Sequence, residues 1–188
     1  DISFVRSIPN MTVISVSDAI ETAKAVEAIA EYNGPVYLRL SRAPAPTIFD
    51  DNYDFKIGKG VELKSGKDVA LIATGTILHN VLKAAELLRE EGIEATVINI
   101  HTVKPIDEEL IISAAKRTGA VVTVEEHSIY GGLGSAVAEV LAQSCPTPIE
   151  FVGATNFAES GDYNQLLEKY GYSPKSIAAK AKAAINRK

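Results

Sequence analysis

Short apolar runs rich in β-branched residues alternate with amphipathic helical segments along this chain, and no other feature constrains its fold as tightly. The strongest run, residues 68–74, precedes a helical stripe formed by Ile77, Val81, Ala84, Ala85 and Leu88. Apolar strands without polar alternation are typical of a parallel sheet that helices cover on both faces. The sequence therefore predicts an α/β protein with mostly parallel sheets and helices on both faces.

Capping residues and stop signals set the element boundaries. We predict strands at residues 12–16, 36–40, 68–74, 95–100, 120–124 and 149–152. Asp18 stands where a helix N-cap is expected, with Glu21 as its partner in a capping box. Asp107 and Ser173 are predicted to cap two later helices, and Pro174 suits the first helical position.

A change in amino-acid composition divides the chain into two units. Residues 43–57 contain two prolines and an Asp-Asp-Asn cluster, which is typical of an interdomain linker. We predict a first unit over residues 1–48, a linker over 49–59 and a complete three-layer α/β domain over 60–188.

The first unit has only one strand, one helix and one strand, which is too little apolar surface for an independent domain. We expect it to be the C-terminal part of a larger domain whose beginning precedes this sequence. Residue 1 is Asp, so we also expect either processing or a longer polypeptide.

Composition excludes several classes of protein. The formal net charge of −5 disfavours a general nucleic-acid binder. The single cysteine, Cys145, excludes an internal disulfide framework and permits a reducing compartment. No apolar run reaches the length of a membrane span, and the first residues do not resemble a secretory signal. We expect a cytoplasmic protein that binds neither nucleic acid nor membranes.

Arg42 is the first candidate for a binding role because it follows the strand predicted at 36–40. Parallel sheets place their sites at the carboxyl ends of strands, and a guanidinium suits a phosphate or a carboxylate. A surface ion pair is the competing interpretation. Arg39 lies three residues earlier, on the opposite strand face, and is the weaker candidate.

The glycine-rich stretch 131–134 follows a strand and opens a helix, as phosphate-binding loops do. Val137 stands where the last glycine of a dinucleotide fingerprint is required, so we favour a tight turn with close helix–strand packing. Just before it, Glu125, Glu126 and His127 could hold a proton-transfer geometry. We favour a polar strand end at an interface, since their spacing does not suit a metal.

The remaining reactive side chains are isolated in the sequence. His79 and His101 have no neighbouring ligand residues, and Cys145 has no histidine near it. We predict structural positions for all three. Physical reasoning from the residues thus leads to a soluble α/β protein with one incomplete and one complete domain, without specifying a reaction.

Four segments together resemble the C-terminal part of a transketolase. In the first unit these are residues 6–21, which carry Arg-Ser-Ile-Pro-Asn-Met and later Ser-Asp and Glu, and residues 34–42, which end in Leu-Ser-Arg. In the second unit, residues 124–134 with Glu139 resemble the signature of the C-terminal domain. Residues 157–161 resemble the family sequence Phe-Gly-Glu-Ser-Gly, with Ala in place of the first Gly. The resemblance covers essentially the whole chain.

This resemblance implies an activity. Transketolases transfer a two-carbon ketol unit between sugar phosphates with thiamine diphosphate and a divalent cation, Mg²⁺ or Ca²⁺. Their active sites lie between two subunits, so a homodimer or a heterotetramer is implied. The resemblance assigns Arg42 to the phosphate group of the substrate, and it gives Arg39 no role.

The parts of the family pattern that precede these residues limit what the segment can do. The glutamate that activates the cofactor and the aromatic pocket for its ring precede this segment in the family pattern, and the diphosphate and metal site lies further upstream, in another of the N-terminal transketolase domains. We therefore expect no catalytic, cofactor-binding or metal-binding residue in this segment, and no activity from it alone.

Three alternatives stay open. A 1-deoxy-xylulose-5-phosphate synthase would condense pyruvate with glyceraldehyde 3-phosphate, and the β subunit of a 2-oxoacid dehydrogenase is a more distant choice. His127 before the glycines and the segment 157–161 favour transketolase over the synthase, and the Leu-Ser-Arg ending at residues 40–42 is not expected of the β subunit. A protein of another class, a non-catalytic assembly module, would not use Arg42 for substrate.

Overall fold

The computed structural model describes all residues, 1–188. Its strands are β1 (Thr12–Ser15), β2 (Val36–Arg39), β3 (Val61–Lys64), β4 (Val69–Thr74), β5 (Ala95–Asn99), β6 (Thr102–Lys104), β7 (Val121–Ser128) and β8 (Ile149–Ala154). Its helices are α1 (Ile2–Arg6), α2 (Ala19–Ala30), α3 (Leu78–Glu90), α4 (Glu108–Thr118), α5 (Leu133–Ser144), α6 (Tyr163–Lys169) and α7 (Pro174–Ile185). The predicted α/β class with mostly parallel sheets is confirmed.

The larger sheet has five strands in the order β3-β5-β4-β7-β8, and all pairs except β3–β5 are parallel. Strand β4 is completely buried because helices pack on both sides of it. Its residues Val69, Leu71 and Ala73 face α3 and α7, whereas Ala70 and Ile72 face α4 and α5. This two-sided burial explains why the strand is apolar throughout rather than alternating.

The smaller sheet has three strands in the order β2-β1-β6. β1 and β2 are parallel, whereas β6 runs antiparallel to β1. β6 lies between β5 and α4 in the chain, so the second half of the sequence contributes a strand to the sheet of the first half. The two units are therefore joined by backbone hydrogen bonds as well as by side-chain packing.

Three elements are absent from the sequence-based prediction: α1, β3 and β6. β6 has only three residues, and β3 is a half-buried edge strand of four. Such short elements are formed by their neighbours in space, and local propensity is too weak to reveal them. None of the helices is long and apolar enough to cross a membrane.

Candidate functional site

Arg42 lies just beyond the end of β2, at the carboxyl edge of the smaller sheet. Its side chain is exposed and makes no hydrogen bond or ion pair. An open depression of about 450 Å³ lies beside it, lined by the first turn of α2 and by Ser41 and Ala43 on either side of the arginine. An unpaired guanidinium at this edge can donate two parallel hydrogen bonds to a phosphate group.

Arg39 has a structural position instead. Its Nε donates to the Asp1 carboxylate at 2.9 Å, and its Nη2 donates to the carbonyl oxygen of Glu126 at 3.0 Å. These bonds fix the end of β2 against the end of β7. The guanidinium of Arg39 is therefore hydrogen-bonded within the chain, whereas that of Arg42 has no partner.

The larger sheet has its topological switch point between β4 and β7, because the chain leaves these neighbours in opposite directions. Open α/β sheets commonly bind ligands in the crevice at this point. Here the smaller sheet closes the crevice: the Thr74 hydroxyl donates to the Ser15 carbonyl oxygen at 3.4 Å, and the Cβ position of Gly75 would lie 2.9 Å from Ser15 Oγ. The second domain therefore uses its usual ligand position for contact with the first.

Glu125 is a buried carboxylate that caps helix α5. Its two oxygens accept the backbone N–H groups of Leu133 at 2.7 Å and Gly134 at 2.8 Å. A Cβ on Gly132 would overlap the Glu125 carboxylate, and one on Gly134 would lie 2.5 Å from the Phe151 ring. The glycine-rich turn thus has the close helix–strand packing that the sequence predicts, and a carboxylate already fills the helix N-terminus that a phosphate would need.

The neighbouring residues Glu126 and His127 are also engaged. Glu126 accepts hydrogen bonds from the hydroxyl groups of Thr76 at 3.0 Å and Tyr163 at 3.2 Å. Burial, together with the Glu126 charge, raises the pKa of Tyr163 to about 12. His127 Nδ1 lies 2.8 Å from the Ser128 carbonyl oxygen but 3.6 Å from Glu125 Oε2, so the histidine and this carboxylate do not form a short proton-transfer pair.

Two buried acids organise the start of α2. Asp18 is the N-cap, as predicted, with Oδ1 accepting the N–H of Glu21 at 2.8 Å. A capping box would also have Glu21 accept the backbone N–H of Asp18. Instead, Glu21 accepts from the backbone N–H and hydroxyl of Ser17, and also from Tyr53 and Asn99. Burial raises the pKa of the Glu21 carboxyl, although these hydrogen bonds oppose the rise. A fully buried carboxylate requires hydrogen-bond donors, whichever part of the chain provides them.

The predicted linker is held firmly against both sheets. Phe49 stacks on Tyr53 with ring centroids 3.9 Å apart, and Phe55 packs on His101 with centroids 4.2 Å apart. Residues 48 and 49 are further held through their backbone N–H groups by Asp18. The segment therefore has a defined path between the two units.

The isolated histidines and the cysteine occupy structural positions. His101 is buried, and this burial lowers its pKa to about 4 against a weaker opposing effect of Asp107. His79 Nδ1 lies 2.6 Å from the Thr76 carbonyl oxygen, and half-buried Cys145 is 3.7 Å from the Thr147 hydroxyl. No three His, Cys, Asp or Glu side chains converge as metal ligands.

Sequence reasoning did not identify the roles of Glu125 and Glu21, because the fold decides which donors each buried carboxylate meets. The donors to Glu21 include Asn99, which is 78 residues away. The packing of the predicted linker could have been recognised in the sequence, because the linker contains three aromatic residues, Phe49, Tyr53 and Phe55. Closely spaced aromatic residues favour packing against a core over a solvated linker.

Comparison with known families gives two matches along the chain. The transketolase C-terminal domain matches residues 58–177, and the transketolase pyrimidine-binding domain matches residues 1–47. The chain belongs to the transketolase family. The resemblance predicted from the four segments is confirmed. Transketolases generally use thiamine diphosphate.

Individual transketolases and related enzymes are similar over nearly all of this chain. A 6-deoxy-6-sulfo-D-fructose transketolase subunit of a Clostridium species is 45% identical over 100% of this chain and 59% of its own length. A structure described as a split-gene transketolase, inactive β4 tetramer, has a TM-score of 0.96 at 43% identity, covering 98% of this chain and 61% of that one. A 1-deoxy-D-xylulose-5-phosphate synthase of Syntrophotalea carbinolica is 38% identical over 95% of this chain and 29% of its own length. The chain thus spans about three fifths of the two transketolase relatives.

Proposed function

We propose that this chain supplies the C-terminal part of a transketolase that transfers a two-carbon ketol unit between sugar phosphates. One observation carries the proposal: Arg42 lies unpaired beside an open depression, inside the segment that matches the pyrimidine-binding domain. The guanidinium would donate hydrogen bonds to the phosphate of the sugar. This role anchors the end of the substrate that does not react.

The residues of this chain do not fit the cofactor or its metal ion. The buried carboxylates Glu21 and Glu125 are held by N–H and O–H donors from the chain itself. The N-terminus of α5, the glycine-rich candidate for the diphosphate, is closed by Glu125. We propose that N-terminal transketolase domains hold thiamine diphosphate together with Mg²⁺ or Ca²⁺.

We further propose that these N-terminal domains belong to the same assembly, as a homodimer or a heterotetramer. The chain spans about three fifths of its transketolase relatives, of which one is described as a subunit and another as a split-gene tetramer. This chain would contribute Arg42 and the surfaces for assembly.

A paired assay of the complete assembly tests the activity. With thiamine diphosphate and Mg²⁺, one reaction receives xylulose 5-phosphate and ribose 5-phosphate, and a second receives pyruvate and glyceraldehyde 3-phosphate. Sedoheptulose 7-phosphate in the first reaction supports the proposal. Release of carbon dioxide in the second reaction alone would instead assign the protein to the synthase, whose Syntrophotalea member is 38% identical.

A third reaction asks about the anionic group of the substrate. It receives 6-deoxy-6-sulfo-D-fructose as donor, because the Clostridium relative is named for that sugar. Turnover of the sulfonated donor without turnover of the phosphorylated one would contradict the sugar-phosphate assignment.

Substitution of Arg42 tests the binding role. A hydrogen bond to a charged group contributes about 1.5–3 kcal/mol, so Arg42→Ala is expected to lower kcat/KM for a sugar phosphate roughly 10- to 150-fold. Arg89→Ala is the matched control, since Arg89 is an exposed arginine that pairs only with Glu86 on its own helix. Unchanged kinetics in Arg42→Ala would favour the non-catalytic assembly module.

Calorimetry on the chain alone tests the placement of the cofactor. We expect no binding of thiamine diphosphate with Mg²⁺ to the isolated chain, because its buried carboxylates and the α5 N-terminus are occupied. Stoichiometric binding would show that the cofactor site lies within these residues.

A further inference from the structure

Arg42 depends on its neighbours in the chain for its position, because its own side chain has no partner. It lies in residues 40–47, which form neither helix nor strand. On one side this stretch begins where β2 ends, fixed by Arg39. On the other side the backbone is next held at Ile48 and Phe49. The path of the stretch is therefore set by whatever holds these two ends.

Asp18 holds the second end. Its Oδ2 accepts the backbone N–H of Ile48 at 2.6 Å and that of Phe49 at 2.9 Å. Its Oδ1 accepts the N–H of Glu21 at 2.8 Å and so caps α2. The side chain is almost completely buried, at 4% exposure, which strengthens these charge-assisted bonds. One carboxylate thus joins the start of α2 to the end of the Arg42 stretch.

The depression beside Arg42 lies between the two parts that Asp18 joins. One wall is the first turn of α2 with Ala19 and Thr22, and the other is the stretch itself with Ser41 and Ala43. Asp18 also contributes to the lining. Its hydrogen bonds hold the backbone just beyond the stretch, at Ile48 and Phe49, close to the first turn of α2.

We propose that Asp18 is a positioning residue for Arg42, which fixes the path of residues 40–47 so that the guanidinium meets the phosphate of the sugar in this depression. The inference rests on the proposed function, since it assumes that Arg42 binds that phosphate. If Asp18 releases Ile48 and Phe49, the stretch has to be ordered when substrate binds. Ordering a side chain on binding costs affinity, so the loss is expected in KM.

Asp18→Asn removes the loop anchor and keeps the helix cap. Asparagine is as good an N-cap as aspartate, so its oxygen can still accept from Glu21. Its amide NH₂ group cannot accept the N–H groups of Ile48 and Phe49. The variant therefore separates the positioning role from the stability of α2.

Asp107 offers a matched control. It is also a buried N-cap, with Oδ1 accepting from Leu110 at 3.3 Å, and its Oδ2 accepts the N–H of Gly60 at 3.0 Å. Asp107→Asn thus loses the same kind of bond between a helix cap and a remote backbone N–H, at Gly60 instead of next to the Arg42 stretch.

The test uses the complete assembly, with xylulose 5-phosphate and an unphosphorylated donor, erythrulose, as substrates. Asp18→Asn is expected to raise KM for the phosphorylated donor about 3- to 10-fold, with kcat and the KM for erythrulose unchanged. Asp107→Asn is expected to change neither KM. Hydrogen exchange provides a readout without turnover: the amides of Ile48 and Phe49 should exchange faster in Asp18→Asn alone.

Combining Asp18→Asn with Arg42→Ala decides whether the two residues act together. If Asp18 works through Arg42, the double variant has the same KM for the phosphorylated donor as Arg42→Ala. Additive increases, or an equal loss with erythrulose, would overturn the positioning role. A normal KM in Asp18→Asn together with a raised KM in Arg42→Ala would overturn the positioning role and leave the proposed function intact. A normal KM in Arg42→Ala would refute both the positioning role and the proposed function.

Discussion

The side chain of Glu125 caps the N-terminus of helix α5. Replacing Glu125 by glutamine exchanges one of its two carboxylate oxygens for an NH₂ group. Both carboxylate oxygens are used, one by the N–H of Leu133 and the other by the N–H of Gly134. Glutamine keeps the shape and one acceptor. Its amide NH₂ group would face the second N–H, so one buried donor is left without a partner and the negative charge at the helix N-terminus is lost.

The size of the effect follows from these two losses. A hydrogen bond to a charged group contributes about 1.5–3 kcal/mol, and a charge near a helix N-terminus contributes about 0.3–1 kcal/mol. Glu125 is 1% exposed, so solvent does not replace either interaction. We expect Glu125→Gln to lower the free energy of unfolding by about 2–4 kcal/mol.

Urea unfolding followed by circular dichroism measures this change. With a slope of about 2 kcal/mol per molar urea, the midpoint should fall by about 1–2 M. Glu27→Gln is the control, because Glu27 is exposed in the middle of α2 and makes no hydrogen bond. A midpoint for Glu125→Gln that matches the control would refute the capping role of this carboxylate.

Three further outcomes are expected. Gly132→Ala should destabilise the chain by more than about 2 kcal/mol, since its Cβ would displace the Glu125 carboxylate, and a normal melting temperature would contradict the packing. Burial lowers the pKa of His101 from its ordinary value of 6.5 to about 4 in the folded chain. Between these two pH values the unfolded chain therefore binds more protons than the folded chain. The free energy of unfolding should fall by up to about 3 kcal/mol as the pH is lowered through this range. His101→Gln should remove that part of the pH dependence, and an unchanged pH profile of unfolding would show that another group causes it. Lys104→Met should loosen α1 by about 1.5–3 kcal/mol, because Nζ donates to two backbone carbonyl oxygens at 2.8 and 2.6 Å near the end of that helix; unchanged hydrogen exchange in α1 would refute this anchor.

Local patterns were sufficient for much of the larger domain. The apolar run at 68–74 became β4, and Asp107 and Ser173 cap α4 and α7 as their positions suggested. The motif around residues 124–134 indicated the family, which the family comparison confirms. These features depend on neighbours within a few residues, so they are visible in the sequence.

Contacts between distant segments were not visible. Glu21 suggested a capping box, but its buried carboxylate binds Ser17, Tyr53 and Asn99 instead. β6 gave no signal of its own, because a three-residue strand forms only when β1 is there to pair with it. Neither outcome could be predicted without knowing which segments meet in space.

Periodicity, capping residues and short motifs act locally, so the α/β class, the main strands and helices and the family can be predicted from the amino-acid sequence. Tertiary contacts decide that β6 completes the smaller sheet, that this sheet closes the switch point of the larger one, and that the first turn of α2 and residues 40–45 enclose one depression beside Arg42. Burial makes the difference: once a charged group leaves water it requires partners, and the fold supplies them from parts of the chain that are far apart in sequence.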